Sequence, residues 1–301
     1  MKLHLDKEAF DEFIMLAAEH FKVPEAYIEK DYWVTWCLRN IAYSGNSEDL
    51  VFKGGTSLSK AHKLICRFSE DIDLAVCRDG LTGAKIKRLV KQSEQSASKG
   101  LVYIKGHPEE SKQGNFRKTF YTYPVSGEER DFGHASRELQ LEINGLASPE
   151  PYSLCSVCSL VAEYLVEHDH TEHISIYDLE PFELNVLDVR RTLVEKIVAL
   201  VKASRTGGKG ELSRKVRHIY DLAMLLRRDE YRRFLGSDYF TDMLEMVRQS
   251  DMRQFSDAVQ WLEAPFSQEC LFSQPEKIWP DIASEYEESF SGMVFGGGSP
   301  R

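Results

Sequence analysis

Apolar residues change their spacing along the chain, and each change marks a change of element. Phe10, Phe13, Ile14 and Ala17 recur at helical spacing, and the segment IEKDYWVTWCLRNIAY continues the helical pattern, so residues 6–43 are predicted to be helical. Gly45 and Asn46 then break the run. Leu50 to Lys53 reads as a short strand, Gly54-Gly55 as a turn, and Thr56 onward as a helix through Leu58, Ala61, His62 and Ile65. In SEDIDLAV, Ile72, Leu74 and Val76 alternate with Asp71, Asp73 and Ala75, the period of a half-buried strand. A helix over 85–98 and strands over 101–104, 116–124 and 139–143 follow. In the last strand Leu139, Leu141 and Ile143 alternate with Gln140 and Glu142.

Beyond the break at residues 149–151, and from Val186 onward almost throughout, the periodicity is helical. Leu193, Ile197, Leu200 and Val201 form one stripe, and Val216, Ile219, Tyr220, Ala223 and Leu226 form another. Gly207-Gly208-Lys209-Gly210 reads as a flexible connection, short enough to set its two helices antiparallel. Residues 292–301, with Gly296-Gly297-Gly298-Ser299, resemble a linker. The pattern predicts an α+β chain: a mixed-sheet lobe with amino-terminal helices over 1–150, a mainly helical lobe over 151–291, and a flexible tail over 292–301. A chain of 301 residues exceeds what one core usually fills, which favours two lobes.

Composition narrows the picture. At 42% hydrophobic and 29% charged, the chain is that of a globular protein. Its apolar runs are too short to span a bilayer, and its first residues alternate charges in place of a signal core, so a cytoplasmic, non-membrane protein is expected. Cys155 and Cys158 form the one CxxC among six cysteines; without a second pair or a nearby histidine at finger spacing, reduced structural thiols are expected. His168, His170 and His173 read as a polar loop, and Tyr32, Trp33 and Trp36 as core or lobe-interface aromatics. A net charge of −10 excludes a general nucleic-acid coat, leaving local basic stretches at 85–99 and 205–218, either solvated faces or phosphate contacts.

The chemistry concentrates between Lys53 and Val76. Two residues apart on one strand, Asp71 and Asp73 leave the same face with alpha carbons about 6.5 to 7 Å apart. Like charges so close call for a cation, and a hard ion such as magnesium takes the oxygen ligands that carboxylates and phosphates both supply. A third carboxylate on a neighbouring strand would complete a metal site; Glu142 is the candidate, a solvent-facing strand residue its alternative. The glycines of the turn Gly54-Gly55-Thr56-Ser57 let backbone approach a phosphate closely, and a branched side chain at Gly55 would crowd that phosphate and disfavour any left-handed angle there.

Four motifs occur in one order: KGGTSLSK, RFSEDIDL, RRTLVEKIVALVKAS and RKVRHIYDLAML, preceded by IEKDYWVTWCL. Together they resemble the AbiEii/AbiGii-type nucleotidyltransferase toxins of bacterial abortive-infection and toxin–antitoxin systems, including the mycobacterial MenT group, within the DNA polymerase beta-like superfamily. The resemblance implies a polymerase beta-like amino lobe joined to a helical lobe. It implies that Asp71 and Asp73, with Glu142, bind magnesium or manganese, and that Gly54, Gly55, Thr56 and Ser57 bind the nucleoside triphosphate, with Arg67 and Ser69 in the same set. Lys196 is implied to contact the nucleotide phosphates, and Asp221 to position the nucleotide or a basic partner. It further implies a transfer RNA 3′ end as acceptor and a cognate antitoxin as partner. Nucleotidylation or phosphorylation of a protein, or a non-catalytic nucleotide- or partner-binding module, are the alternatives. Read locally, Lys196 is an exposed helix lysine and Asp221 pairs with Arg217 one turn earlier.

Overall fold

Asp6 accepts a hydrogen bond from the Ala9 amide at 3.2 Å and so opens helix α1 (Lys7–Phe21), which ends where Lys22 turns left-handed at φ 57°. The expected stripe of Phe10, Phe13, Ile14 and Ala17 is buried. Pro24 starts α2 (Glu25–Ala42), whose Tyr32 and Trp33 lie in the core, while Trp36 donates through Nε1 to the Lys99 carbonyl at 2.7 Å. In this computed structural model, residues 1–69, 71–124, 137–146, 148–206, 208–254 and 265–295 are described. They fall into two units: 1–63 with 68–187, and 64–67 with 188–301.

The first unit is a mixed sheet backed by helices. Its further elements are β1 (Leu50–Lys53), α3 (Gly54–Lys60), β2 (Asp71–Val76), α4 (Gly83–Ala97), β3 (Val102–Tyr103), β4 (Ser111–Gln113), β5 (Phe116–Thr122), β6 (Leu139–Asn144), β7 (Tyr152–Val157), α5 (Leu160–Glu167), α6 (Thr171–Tyr177) and β8 (Phe182–Leu187). The strand order is β3-β5-β6-β2-β1-β8-β7, with β4 paired to the outer side of β5. Strands β2–β6 and β1–β8 run parallel; the other pairs are antiparallel.

Alternation along the central strands divides the sheet into two faces. Phe52, Ile72, Leu74, Leu141 and Ile143 are buried, and α2 and α4 pack on the sheet with Trp33, Leu38, Ile86 and Val90 in the same core. A β-carbon placed on Gly145, just past β6, would lie 2.6 Å from Ile86 Cγ2 and 2.9 Å from the Asn115 carbonyl oxygen. The close seat of α4 on the sheet therefore requires glycine there. Buried charge ties the helices together: Lys60 at the end of α3 pairs with Asp31 of α2 at 2.5 Å, and Asp31 also accepts from the Leu160 amide at 2.8 Å, at the start of α5.

Three expectations change here. Strands β7 and β8 join this sheet, with Phe52 of β1 registered on Val186 of β8, so the first unit runs past the expected break at residues 149–151. The helix from the glycine turn ends at Lys60 instead of continuing to Ile65, because the Ala61 and His62 amides both close on the Ser57 carbonyl and Lys63 turns left-handed at φ 53°. His173, expected in a loop, lies within α6.

The second unit is helical: α7 (Val189–Thr206), α8 (Gly208–Ser213), α9 (Val216–Leu226), α10 (Asp229–Leu235) and α11 (Asp238–Gln254), then a short helix Cys270–Ser273 and the helix Pro275–Glu285. Leu193, Leu200 and Val201 of α7 are buried, as are Val216, Tyr220 and Leu225 of α9, and the two helices pack together. Residues 208–210 of the expected flexible connection lie within α8, and residue 207 lies outside the described residues. Of the expected tail, Val294 pairs with Arg67 as an isolated bridge and the Phe295 amide donates to the Cys66 carbonyl at 3.0 Å; residues 296–301 lie outside the described residues.

Candidate active site

The sheet register gathers one row of charge in the first unit. Lys53 of β1 is registered on Asp73 of β2, Asp73 on Glu142 of β6, and Glu142 on Lys118 of β5. Registered neighbours share a face. Asp71, two residues from Asp73, lies on that same face beside Gln140. Asp71, Asp73 and Glu142 are half-buried while Ile72, Leu74, Leu141 and Ile143 are covered on the other side. The amphipathic pattern that buries the sheet thus also places three carboxylates on the face away from α2 and α4. Lysines on both flanks of the row moderate the repulsion that bare carboxylates would feel. Lys118 is held by Glu109 at 2.5 Å.

The glycine turn packs directly behind Asp73. Gly54 has φ +79°, and a β-carbon there would stand 2.1 Å from Asp73 Oδ2. The left-handed angle of the turn falls on Gly54, and any side chain at 54 would displace the carboxylate. Thr56 and Ser57 are fully buried. Thr56 Oγ1 donates to the Asp71 carbonyl at 2.5 Å and lies 2.9 Å from Ser69 Oγ, and Ser57 Oγ donates to the Gly54 carbonyl at 2.9 Å. These hydroxyls brace the turn against β2, leaving its backbone as the part able to meet a phosphate.

In the second unit a different set converges. Asp221 of α9 is fully buried, and its carboxylate accepts from Arg67 through Nε at 2.6 Å and Nη2 at 2.9 Å, and from Lys196 Nζ of α7 at 2.7 Å. Burial alone would push this carboxyl up; the Arg67 guanidinium and the Lys196 ammonium more than reverse that and hold it well below the usual range. Lys196 Nζ also lies 3.3 Å from His218 Nδ1. Burial, then the cations Lys196 and Lys215, press the His218 imidazole well below its ordinary value. Arg67 and Lys196 thus meet on one buried carboxylate, with a neutral ring beside the Lys196 ammonium. The local alternative for Asp221 does not describe it, because Arg217 directs Nη2 to Met293 Sδ at 3.7 Å while Arg67 takes the carboxylate.

Sequence patterns singled out neither Lys53 and Lys118, since register is invisible in one strand, nor His218, which needs α7 and α9 docked. The donor set of the first unit is all carboxylate oxygen, which suits a hard divalent ion sharing its coordination with substrate phosphates. Among the described residues, no group of three or more His, Cys, Asp or Glu side chains is arranged to hold a metal by itself, the histidines of residues 168–173 included. An ion of the phosphate-sharing type needs only one or two protein carboxylates. Cys155 and Cys158 are free thiols, three residues apart along extended chain and so about 10 Å between alpha carbons, too far to bridge. Among the described residues, no helix is long and apolar enough to cross a membrane.

No curated protein sequence matches the chain. Among solved structures it is similar to MenT4, a nucleotidyltransferase toxin from Mycobacterium tuberculosis, at 16% identity and a TM-score of 0.42, over 90% of this chain and 98% of that one. The profile of the nucleotidyl transferase AbiEii toxins matches residues 36–299, a span that takes in the glycine turn, the Asp71–Asp73 strand, Lys196 and Asp221. The chain therefore belongs to the AbiEii family, the nucleotidyltransferase toxins of type IV toxin–antitoxin systems.

Proposed function

We propose that this nucleotidyltransferase moves a nucleoside monophosphate from a nucleoside triphosphate to an acceptor hydroxyl at the 3′ end of transfer RNA, as the growth-arresting toxin of a pair whose antitoxin restrains it in the cytoplasm. The observation that carries the reading is the shared sheet face of Asp71, Asp73 and Glu142, with Gly54 packed against Asp73. The acceptor oxygen bonds to the α-phosphorus as the bond to the bridging oxygen breaks, pyrophosphate departs with that oxygen, and a carboxylate of the row takes the hydroxyl proton. Asp71, Asp73 and Glu142 would hold a magnesium or manganese ion, which when bound would neutralise developing phosphate charge and acidify the attacking hydroxyl. The backbone of Gly54 and Gly55 receives the triphosphate, and Thr56, Ser57 and Ser69 keep that turn stiff. Lys196 meets phosphate charge with an ammonium that Asp221 orients, while Arg67 shares the burial cost of that carboxylate.

The test incubates the full chain with each labelled triphosphate, magnesium, total RNA and lysate protein. Label is expected in the transfer RNA fraction with wild type, and to vanish with Asp73→Asn while thermal melting stays unchanged. Label on protein alone, or full activity of Asp73→Asn, would overturn the reading.

A further inference from the structure

The Lys196 ammonium has three N–H directions. One goes to Asp221 and one points at His218 Nδ1, at 2.7 and 3.3 Å. Among the described residues the third is uncommitted, and it is the one left for a ligand. Lys196 is buried and its stem is long, so without two fixed partners its tip would swing among rotamers. We infer that His218 is a positioning residue, a neutral acceptor that fixes the second N–H of Lys196 and so aims the third at the phosphate of the nucleotide. This rests on the role proposed for Lys196 above.

The geometry also dictates which form of the ring serves. An imidazole accepts at Nδ1 only as the neutral tautomer carrying its proton on Nε2. Protonated, it would set a donor and a positive charge against Lys196, with Arg67 of the adjoining segment and Lys215 at the start of its helix adding to the repulsion and Asp221 opposing it. The surroundings already keep the ring neutral, mainly because it is buried. Any residue with a neutral acceptor at the Nδ1 position should replace it, and an apolar one of similar bulk should not. Asparagine can present such an acceptor; leucine cannot.

The experiment titrates the histidine C2 protons of the full chain by NMR and measures transfer in parallel for wild type, His218→Asn and His218→Leu. The resonance missing from His218→Asn identifies the ring. It is expected to stay at its neutral shift between about pH 8 and 6, where ordinary histidines titrate. His218→Leu is expected to lose about tenfold or more in kcat, the effect of one hydrogen bond to a charged group, and His218→Asn to keep most of it. A ring that titrates near its ordinary value, equal losses in both variants, or wild-type turnover in His218→Leu would each overturn the inference. If wild type transfers no nucleotide, the proposed reaction fails by itself; the titration still decides whether the ring is the neutral partner of Lys196, and an ordinary titration then overturns that too.

Discussion

At Gly54 one missing methyl group decides whether Asp73 can stand where it does, since a β-carbon would come within 2.1 Å of its Oδ2. Gly54→Ala should therefore cut kcat by about a hundredfold, the scale of a misplaced catalytic group, while the left-handed angle adds about 1–2 kcal/mol of instability; steady-state turnover beside a thermal melt checks both. A variant with normal turnover would separate this turn from the chemistry. At Asp221 the sign of the expectation reverses once the structure is known. A carboxylate paired only with Arg217 one turn earlier would be cheap to replace, but Asp221→Asn takes from the buried Arg67 and Lys196 the charge they share, at a cost of about 3–5 kcal/mol in denaturant unfolding. Asp71 and Asp73 were legible because alternation along one strand is a local property. The pairing of Arg67 with Asp221 was not, because the two lie 154 residues apart and only tertiary packing reveals it.

Helix α4 shows what one element demands of its neighbours. Its buried Ile86 meets the backbone at Gly145, and its buried Glu94 pairs with Arg117 and accepts from Tyr121 on β5, so both apolar and charged contacts seat it. Gly145→Ala should destabilise the first unit by about 1–3 kcal/mol through overpacking, read as a lower melting temperature with transfer retained by the folded fraction. The long periodic elements α1, α2, α4, α7 and α9 were legible from apolar spacing, as were β1, β2, β5 and β6. β8 was not, although Phe182, Leu184 and Val186 alternate, because the strand runs straight into the helical stripe of α7 and its parallel partner β1 lies far back in the chain. The short helix α8 forms across glycines that read as a break, so glycine content alone misjudged it.

For the molecule as a whole, two depressed ionisations set the response to acid. Asp221 titrates below its unfolded value, so its contribution is complete above about pH 4 and is lost as pH falls further. His218 is held neutral, so the unfolded chain binds the extra proton first and stability also falls as pH drops below about 6.5. Melting followed from about pH 8 to 3 should decline in two stages, and His218→Asn should lack the earlier one; a wild-type curve level from pH 7 to 5 would contradict the assignment for His218. The course of the backbone has a last consequence. Residues 64–67 belong with 188–301, yet residue 63 before them and residue 68 after them belong to the other unit. The polypeptide therefore passes between the units three times, and no single cleavage yields both of them whole. A piece beginning at Asp188 would carry Asp221 without Arg67, so a split version of this toxin made at the 187–188 junction would deliver an amino half that holds the whole first unit together with Arg67, and a carboxy half that lacks the guanidinium its buried carboxylate depends on.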